Sequence, residues 1–496
     1  MDKNNSLPLT LVAILALSFI VYSQCLSFSF VNWDDNGFLG SALIQKPPFS
    51  NLNEIFLTHN TGRYYPLTFL VQQIQYFFFD FEPFYYHFTN LIFHFINIVL
   101  VFKIFGNLRV DKKVAGLIAF LFALHPLQVE AVAWVSSLKD LLYSFFFLWI
   151  IYIYTKQPQR QRYRYHLILI YFLALSAKIN ALSLPFLLIL FDYCEKRKIH
   201  LSDWITKIPL FILAFVFVAI GLAAARSVRA FPLSAILPWI DRFWLSGYAA
   251  CMYIVKIIFP FSLCNYYPLP AKIHGFFPPE IYIMSLLFFF SSVLMLKKLP
   301  HQPRVAFVAF LIMIFPCLHL TVINNCIIYE RFVYLASLGI FFIMSFFACS
   351  ILEKFPSKKA RYLMRIFLIV YFCFLTISCF RRCPVWENSA TLWTDVIKKR
   401  PDSPAGYFFR SSYYLEEKNW EAALRDINVA LDLNPRYVPS YRNRAEIYLQ
   451  TGRLHAALND YKKILALDPG NKEAQRISKL ITQRMKKAGH ASPRRP

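Results

Sequence analysis

Of the chain's 496 residues, 57% are apolar and only 16% are charged, well below the roughly 25% charge of a soluble protein. This excludes a chain that is soluble along its whole length. The net charge of +25 does not point to nucleic acid, because the basic residues cluster in short loops between apolar runs, the pattern that orients a membrane protein. The ten cysteines include no CxxC pair and lie mostly inside apolar runs, so they read as small core residues rather than a zinc or disulfide framework. Cys379 and Cys383, near the end of one run, are close enough in sequence to pair.

The first apolar run, 7–26, matches the about 20 residues that cross a bilayer as helix. No small-residue cleavage motif follows it, so it is expected to be retained as a span. A polar-aromatic loop comes next, at 27–81. Inside it, 53–79 alternates apolar and polar residues and predicts an amphipathic helix at the interface; Gln72, Gln73 and Gln75 argue against lipid on all its faces. Further runs lie at 84–105, 114–124, 141–154, 166–177, 181–192 and 208–225, then 243–259, 281–296, 305–323, 332–352 and 363–380. With the N-terminus inside, the basic loops at 103–113, 156–165 and 195–198 fall inside, and 27–81, 125–139 and 176–180 fall outside. Eleven to thirteen spans are expected, according to whether 243–259 crosses.

The tail is a repeat. Pro401, Pro435 and Pro469 are spaced by 34, as are Tyr407 and Tyr441, Arg410 and Arg444, Tyr414 and Tyr448, Ala423 and Ala457, and Leu433 and Leu467. That period with Tyr, Ala and a closing Pro is the tetratricopeptide signature, a helix pair that buries its face only against the next pair. Units are expected at about 404–437 and 438–471, after a half unit at 387–401 and before a capping helix at 472–487. Arg410 and Arg444 stand where the common pattern has Leu. The module suits either plain packing or dimerisation on the one hand, or the docking of an acceptor or partner protein on the other. The domain reading is a transmembrane domain at 1–385, repeats at 386–487 and a disordered basic tail at 488–496.

Three stretches carry candidate chemistry. FVNWDDNGF, 30–38, places Asp34 and Asp35 side by side just after the first span. They read either as a cap or turn pair or as a general base that removes a proton from an acceptor hydroxyl. Trp33 and Phe38 suit a sugar-stacking environment. In 121–142, His125-Pro126 ends a helix, and a helix over 127–140 would put Glu130, Trp134 and Ser137 on one face. His125 and Glu130 are acceptor- or sugar-site candidates; two possible ligands without a third do not make a metal site, and no metal is expected. Lys139 reads as a snorkelling cation or a phosphate contact, and Asp140 beside it as its partner. In 327–337, Arg331 between Tyr329 and Tyr334 suits a phosphate head group, unless it pairs with Glu330. Arg63 and Lys178 are further outer-face cations.

The order of these pieces (the DD loop, RYYPLT, YHFTNLIFH, LHPLQVEAVAWVSSLKDLL, YERFVYL, VWENSATLW and the repeats) resembles the transmembrane-and-tetratricopeptide O-mannosyltransferase family and its bacterial relatives, of the C-type glycosyltransferase fold. The protein O-mannosyltransferases and lipid A aminoarabinose transferases are wider kin. The resemblance implies an all-α polytopic membrane bundle followed by a short tetratricopeptide solenoid. It implies transfer of a mannose-like hexose from a polyprenyl phosphate to a hydroxyl, such as that of a protein Ser or Thr, on the outer or lumenal face by single displacement. It implies no cofactor or metal beyond the polyprenyl phosphate sugar, and a bacterial inner membrane with periplasmic repeats. Asp34 and Asp35 take the acid role, with Asp34 favoured as base. Arg331 takes the donor phosphate, and at least one of Arg331, Lys139, Arg63 and Lys178 must face it. The chain has fewer repeats than the eukaryotic members. Two other readings compete: an O-antigen ligase or polymerase, which would carry its key residues in a large late outer loop, and a non-catalytic tetratricopeptide membrane scaffold.

Overall fold

The computed structural model describes residues 8–57, 64–156, 164–194, 201–227, 237–320, 326–354 and 357–490. The chain is all-α; among the described residues the only β pairings are two isolated bridges, Pro268 with Cys326 and Ile273 with Phe276. It divides into two compact units, Met1–Phe30 with Asp34–Glu387, and Val31–Trp33 with Asn388–Pro496.

The first unit begins with α1 (Leu9–Tyr22), then α2 (Asp35–Leu39), α3 (Leu52–Leu57), α4 (Pro66–Phe79) and α5 (Pro83–Asn107). Next come α6 (Lys112–Leu124), α7 (Val129–Ala133), α8 (Leu138–Lys156), α9 (Arg164–Ala177) and α10 (Leu184–Cys194). The unit closes with α11 (Leu201–Ser227), α12 (Trp239–Ile258), α13 (Pro279–Lys298), α14 (His301–Ile314), α15 (Ser337–Lys354) and α16 (Lys358–Arg382). Pro66 and Pro83 open their helices, where the missing N–H has no partner to lose. Asp111 caps α6 by accepting from the Lys113 N–H at 2.7 Å.

Seven helices among the described residues are long and apolar enough to cross a membrane. They are Leu9–Ser27, Pro83–Asn107, Val135–Lys156, Lys207–Ala224, Pro279–Lys298, Ser337–Lys354 and Lys358–Trp386. Lys112–Leu124 with Pro126–Ala133, bent by 49°, makes an eighth if counted as one. Tyr165–Ala177, Ile179–Cys194 and His301–Cys317 are apolar but shorter. The eleven to thirteen spans expected from hydropathy thus resolve into fewer full-length helices, because residues such as Pro126 and Pro316 interrupt the runs. Ile283, Leu287 and Phe290 on α13, and Phe367 and Val370 on α16, are exposed, an outer surface suited to lipid rather than water.

The amphipathic stretch 53–79 is two helices, α3 and α4, with 58–63 outside the described residues. Its glutamines point into protein. Gln72, Gln73 and Gln75 are all buried, and Gln73 donates to the Leu43 carbonyl at 2.9 Å and to Asn51 at 2.8 Å. Helix α5 carries a buried polar stripe, His87, Asn90, His94 and Asn97, at helical spacing. On α14 and α15 the packing is close enough that a Cβ on Gly339 would clash with the Ala306 carbonyl oxygen. Cys379 and Cys383 do not pair; both remain thiols, one helical turn apart.

The second unit stacks α17 (Ser389–Lys399), α18 (Pro404–Glu416), α19 (Trp420–Leu433), α20 (Val438–Gln450), α21 (Leu454–Leu467) and α22 (Lys472–His490). Helices α18 and α20 begin 34 residues apart, as do α19 and α21. Ala423, Ile427, Ala445, Ala457 and Ile464 belong to the common core of α19–α22. Arg410 makes a two-pronged pair with Asp426 at 2.7 and 2.8 Å and reaches Thr394 at 3.0 Å. One repeat later, Arg444 grips Asp460 at 2.9 and 2.8 Å and Asn428 at 2.8 Å. Each Arg therefore ties the preceding helix to the following one, which is why Leu is absent there.

Candidate active site

The site grows from a broken stretch of backbone. Every residue from 121 to 144 is buried, yet the segment is not one helix. Pro126 starts a 3-10 turn, Pro126–Gln128, and Trp134 is extended before a second turn, Val135–Ser137. Glu130, Trp134 and Ser137 therefore do not share a helical face, contrary to the expectation for 127–140. Broken backbone without water needs partners from elsewhere. The α5 stripe supplies them. Asn90 donates to the carbonyls of Trp134 at 2.8 Å and Val132 at 3.3 Å, and Asn97 to that of Leu141 at 3.2 Å. His94 bonds the Tyr334 hydroxyl at 2.8 Å and the Ala123 carbonyl at 3.3 Å.

Asp35 opens α2 and is buried. Its Oδ1 accepts from the Ser136 N–H at 3.1 Å and from the Ser136 hydroxyl. The Ser136 carbonyl in turn accepts from Lys139 Nζ at 2.6 Å. Lys139 lies over the Trp134 ring at 4.8 Å, and the Arg331 guanidinium lies over the same ring at 4.7 Å. Trp386 stacks on Trp134, with centroids 5.7 Å apart. The broken segment thus presents Ser136, Lys139 and Trp134 to Asp35 and Arg331.

Arg331 sits in the turn Glu330–Val333 and pairs with Glu130, whose second oxygen also accepts the Arg331 backbone N–H at 3.1 Å. Glu330, the alternative partner, binds elsewhere. It accepts from the Cys264 N–H at 2.6 Å and the Tyr267 hydroxyl at 2.7 Å and lies 3.7 Å from Arg382. Burial opposes the Arg331 charge, but Glu130, Asp140, Tyr329 and Asp34 outweigh it and raise its pKa. Asp34, only half-buried, therefore stands within the electrostatic reach of Arg331. Arg331 Nε is buried with no hydrogen-bond partner among the described residues.

Asp140 pairs with Lys178 rather than its neighbour Lys139. Lys178 also lies over the Phe332 ring at 4.6 Å, and Asp140 Oδ2 is left buried without a hydrogen-bond partner among the described residues. Burial pushes the Glu330 carboxyl up to about 7; Glu130 adds to this, and Arg382, Tyr267 and Cys264 oppose it. In the cluster Asp34, Asp35, Glu130 and Asp140 are set against Lys139, Lys178 and Arg331, while Arg382 faces Glu330.

The structure thus brings together Asp34, Asp35, Glu130, Lys139, Lys178 and Arg331. His125 is committed to the helix break. Its Nδ1 accepts from the Leu127 N–H at 3.3 Å and its Nε2 donates to the Ile257 carbonyl at 2.9 Å. Trp33 belongs to the second unit, edge-on to Trp393 at 5.3 Å and Phe409 at 5.6 Å. Arg63 lies outside the described residues. No group of three or more possible metal ligands occurs among the described residues. Sequence reasoning missed Ser136 and the Asp140–Lys178 pair, although both lie in quoted motifs. It also missed Tyr267 and Arg382 around Glu330, for which no spacing gave a signal.

The tetratricopeptide repeat family matches residues 410–482, within the second unit. The chain is similar to serine/threonine-protein phosphatase 5 from Rattus norvegicus, 30% identical over 103 residues, 20% of this chain and 21% of the relative. It is also similar to RNA polymerase II-associated protein 3 from Homo sapiens, 27% identical over 109 residues, 22% of this chain and 16% of the relative. A third relative is a tetratricopeptide repeat and J domain-containing co-chaperone from Cryptococcus neoformans, 41% identical over 56 residues, 11% of each chain. The chain thus spans about a fifth or less of the length of these curated relatives.

Proposed function

We propose that the protein is an integral membrane glycosyltransferase. It moves a mannose-like hexose from a polyprenyl phosphate to a hydroxyl acceptor on the outer or lumenal face. The observation that carries this reading is the meeting of Asp34 and Asp35 with Arg331 and Lys139 around the broken segment 125–140. Sugar transfer by single displacement needs a carboxylate for the acceptor proton and positive charge where the phosphate departs, and this cluster offers both.

The roles follow from burial and bonding. Asp35 is buried and takes two donors from Ser136, so it orients the loop as a fixed anion. Asp34 is half-buried and is the base: it accepts the acceptor's proton as the hydroxyl oxygen bonds the anomeric carbon. The bond from that carbon to the phosphate oxygen breaks, and polyprenyl phosphate leaves with the electron pair. Arg331 Nε, without a partner among the described residues, is the donor left for a phosphate oxygen. Lys139 adds its charge beside it. Lys178 is engaged by Asp140 and acts at longer range. The repeats dock the acceptor protein.

The test is transfer from a polyprenyl phosphate sugar in membranes bearing the full chain. Asp34→Asn is expected to lower the rate by roughly 10²–10⁴-fold, the usual share of a general base. Full activity in both Asp34→Asn and Asp35→Asn would sink the assignment.

A second reading, a non-catalytic scaffold that organises membrane partners through its repeats, draws support from the family match, which lies in the repeats. It predicts that removing residues 388–496 abolishes function while the Asp variants leave it intact.

A further inference from the structure

An apolar cavity of about 330 Å³ lies among α5, α8, α10, α14 and α15 of the first unit. Val101 and Ile104 of α5, Leu148 and Ile151 of α8, and Ala309 and Met313 of α14 line its walls. Its polar lining gathers at one end: Thr155 on the last turn of α8, and His301 and Gln302 on the first turn of α14, both exposed. Helices α10 and α14 lie in apolar stretches too short for a full span, so the wall they build is incomplete. Exposed cations flank the polar end. Arg109 stands between Leu108 and Val110, which both line the cavity, and Lys156 follows Thr155. Asp111, the single carboxylate of 108–113, is engaged in capping α6, and Lys112 and Lys113 come after it. Arg109 also holds a φ of 55°, left-handed backbone that Gly enters without strain. A long cationic side chain is thus kept beside the polar end against a conformational cost.

We propose that this cavity seats one acyl chain of an anionic phospholipid, whose headgroup phosphate meets Arg109 and Lys156 at the polar end. The proposal rests on the proposed function only in taking the first unit to lie in a membrane. The apolar walls favour a hydrocarbon chain over water, and the cations favour an anionic headgroup over a neutral one. The lipid-linked sugar donor is a different ligand. Helix α8 carries Lys139 of the candidate active site in its first turn and Thr155 in its last, about 24 Å apart along the axis. A single phosphate cannot serve both ends. The seated chain fills the wall that α10 and α14 leave short and fixes both helices against α5 and α8.

The test uses the full chain purified in mild detergent, incubated with equal amounts of dioleoyl-phosphatidylglycerol and dioleoyl-phosphatidylcholine and read by native mass spectrometry. One bound phosphatidylglycerol is expected as the dominant adduct. Arg109→Gly fits the left-handed backbone and removes the charge, so it should cut the preference for phosphatidylglycerol about fivefold without lowering the thermal midpoint. Ala309→Phe places a ring in the cavity and should remove the adduct. Added polyprenyl phosphate is expected to leave the phosphatidylglycerol adduct in place. Equal adducts of the two phospholipids, an unchanged preference in Arg109→Gly, or displacement by polyprenyl phosphate would overturn the proposal, and so would an adduct that persists in Ala309→Phe. Bound lipid is counted whether or not sugar is transferred, so the outcome is separate from that of the Asp34 and Asp35 variants.

Discussion

Buried charge dominates at the scale of the residue. Asp140 and Lys178 pair inside the first unit, each almost without exposure. Lys178→Met leaves Asp140 buried without its counter-charge and is expected to cost about 3–5 kcal/mol, read as a lower thermal midpoint in detergent. Joint replacement with Asp140→Leu should recover most of that loss, because the desolvation penalty disappears with the second charge. Glu330 carries the clearest pH signature. Burial raises its carboxyl from the usual 4.5 to about 7, so the folded chain binds this proton more tightly than the unfolded one. Its stabilising contribution is therefore complete below about pH 4.5 and is lost as the pH rises through about 7. Glu330→Gln, which keeps an acceptor for Tyr267 and Cys264, is expected to flatten the thermal midpoint against pH across that window. An unchanged slope would remove Glu330 as its source.

Elements are where short-range rules hold and fail. The repeat helix pairs are spaced by 34 residues, and the departures from the pattern are explained by a second set of residues that recurs at the same spacing. Arg410 and Arg444, Asp426 and Asp460, and Thr394 and Asn428 all recur at that spacing. Arg444→Leu restores the commoner residue but strands the buried Asp460. A cost of about 2 kcal/mol is expected, between the values for exposed and buried pairs. It should appear as roughly 30-fold faster hydrogen exchange in α20 and α21. In 125–140, by contrast, a pattern that reads as helix is cut at Pro126 and Trp134, and α5 satisfies the freed carbonyls. The break carries Ser136 to Asp35 and Lys139 to the Ser136 carbonyl, which a continuous helix would not do.

For the whole molecule, sidedness is the decisive quantity. The proposed function places the first loop and the repeats on the outer face, and the basic segment after α5 and the lysines that end α13 on the inner. In intact cells, a cysteine introduced at the exposed repeat position Gln450 is expected to react with a membrane-impermeant maleimide. One introduced at exposed Lys298 should react only after permeabilisation. The reverse result would put acceptor docking and Asp34 on opposite sides and end the transferase geometry.

Composition and period alone determine that the chain is helical, that much of it is too apolar for water, and that its tail is a tetratricopeptide stack. Those properties are local: run length, spacing and charge density state them without reference to distant residues. The candidacy of Asp34, Asp35, Lys139, Lys178 and Arg331 is also legible, because charge beside apolar spans is rare enough to mark them. Their partners are not legible. Asp35 meets Ser136 about a hundred positions away, and Arg331 meets Glu130 about two hundred away. Only the tertiary structure selects Lys178 over Lys139 for Asp140, Arg382 for Glu330, and Trp393 for Trp33. Such pairings depend on which helix ends converge, and burial then makes each unpaired alternative too costly to persist.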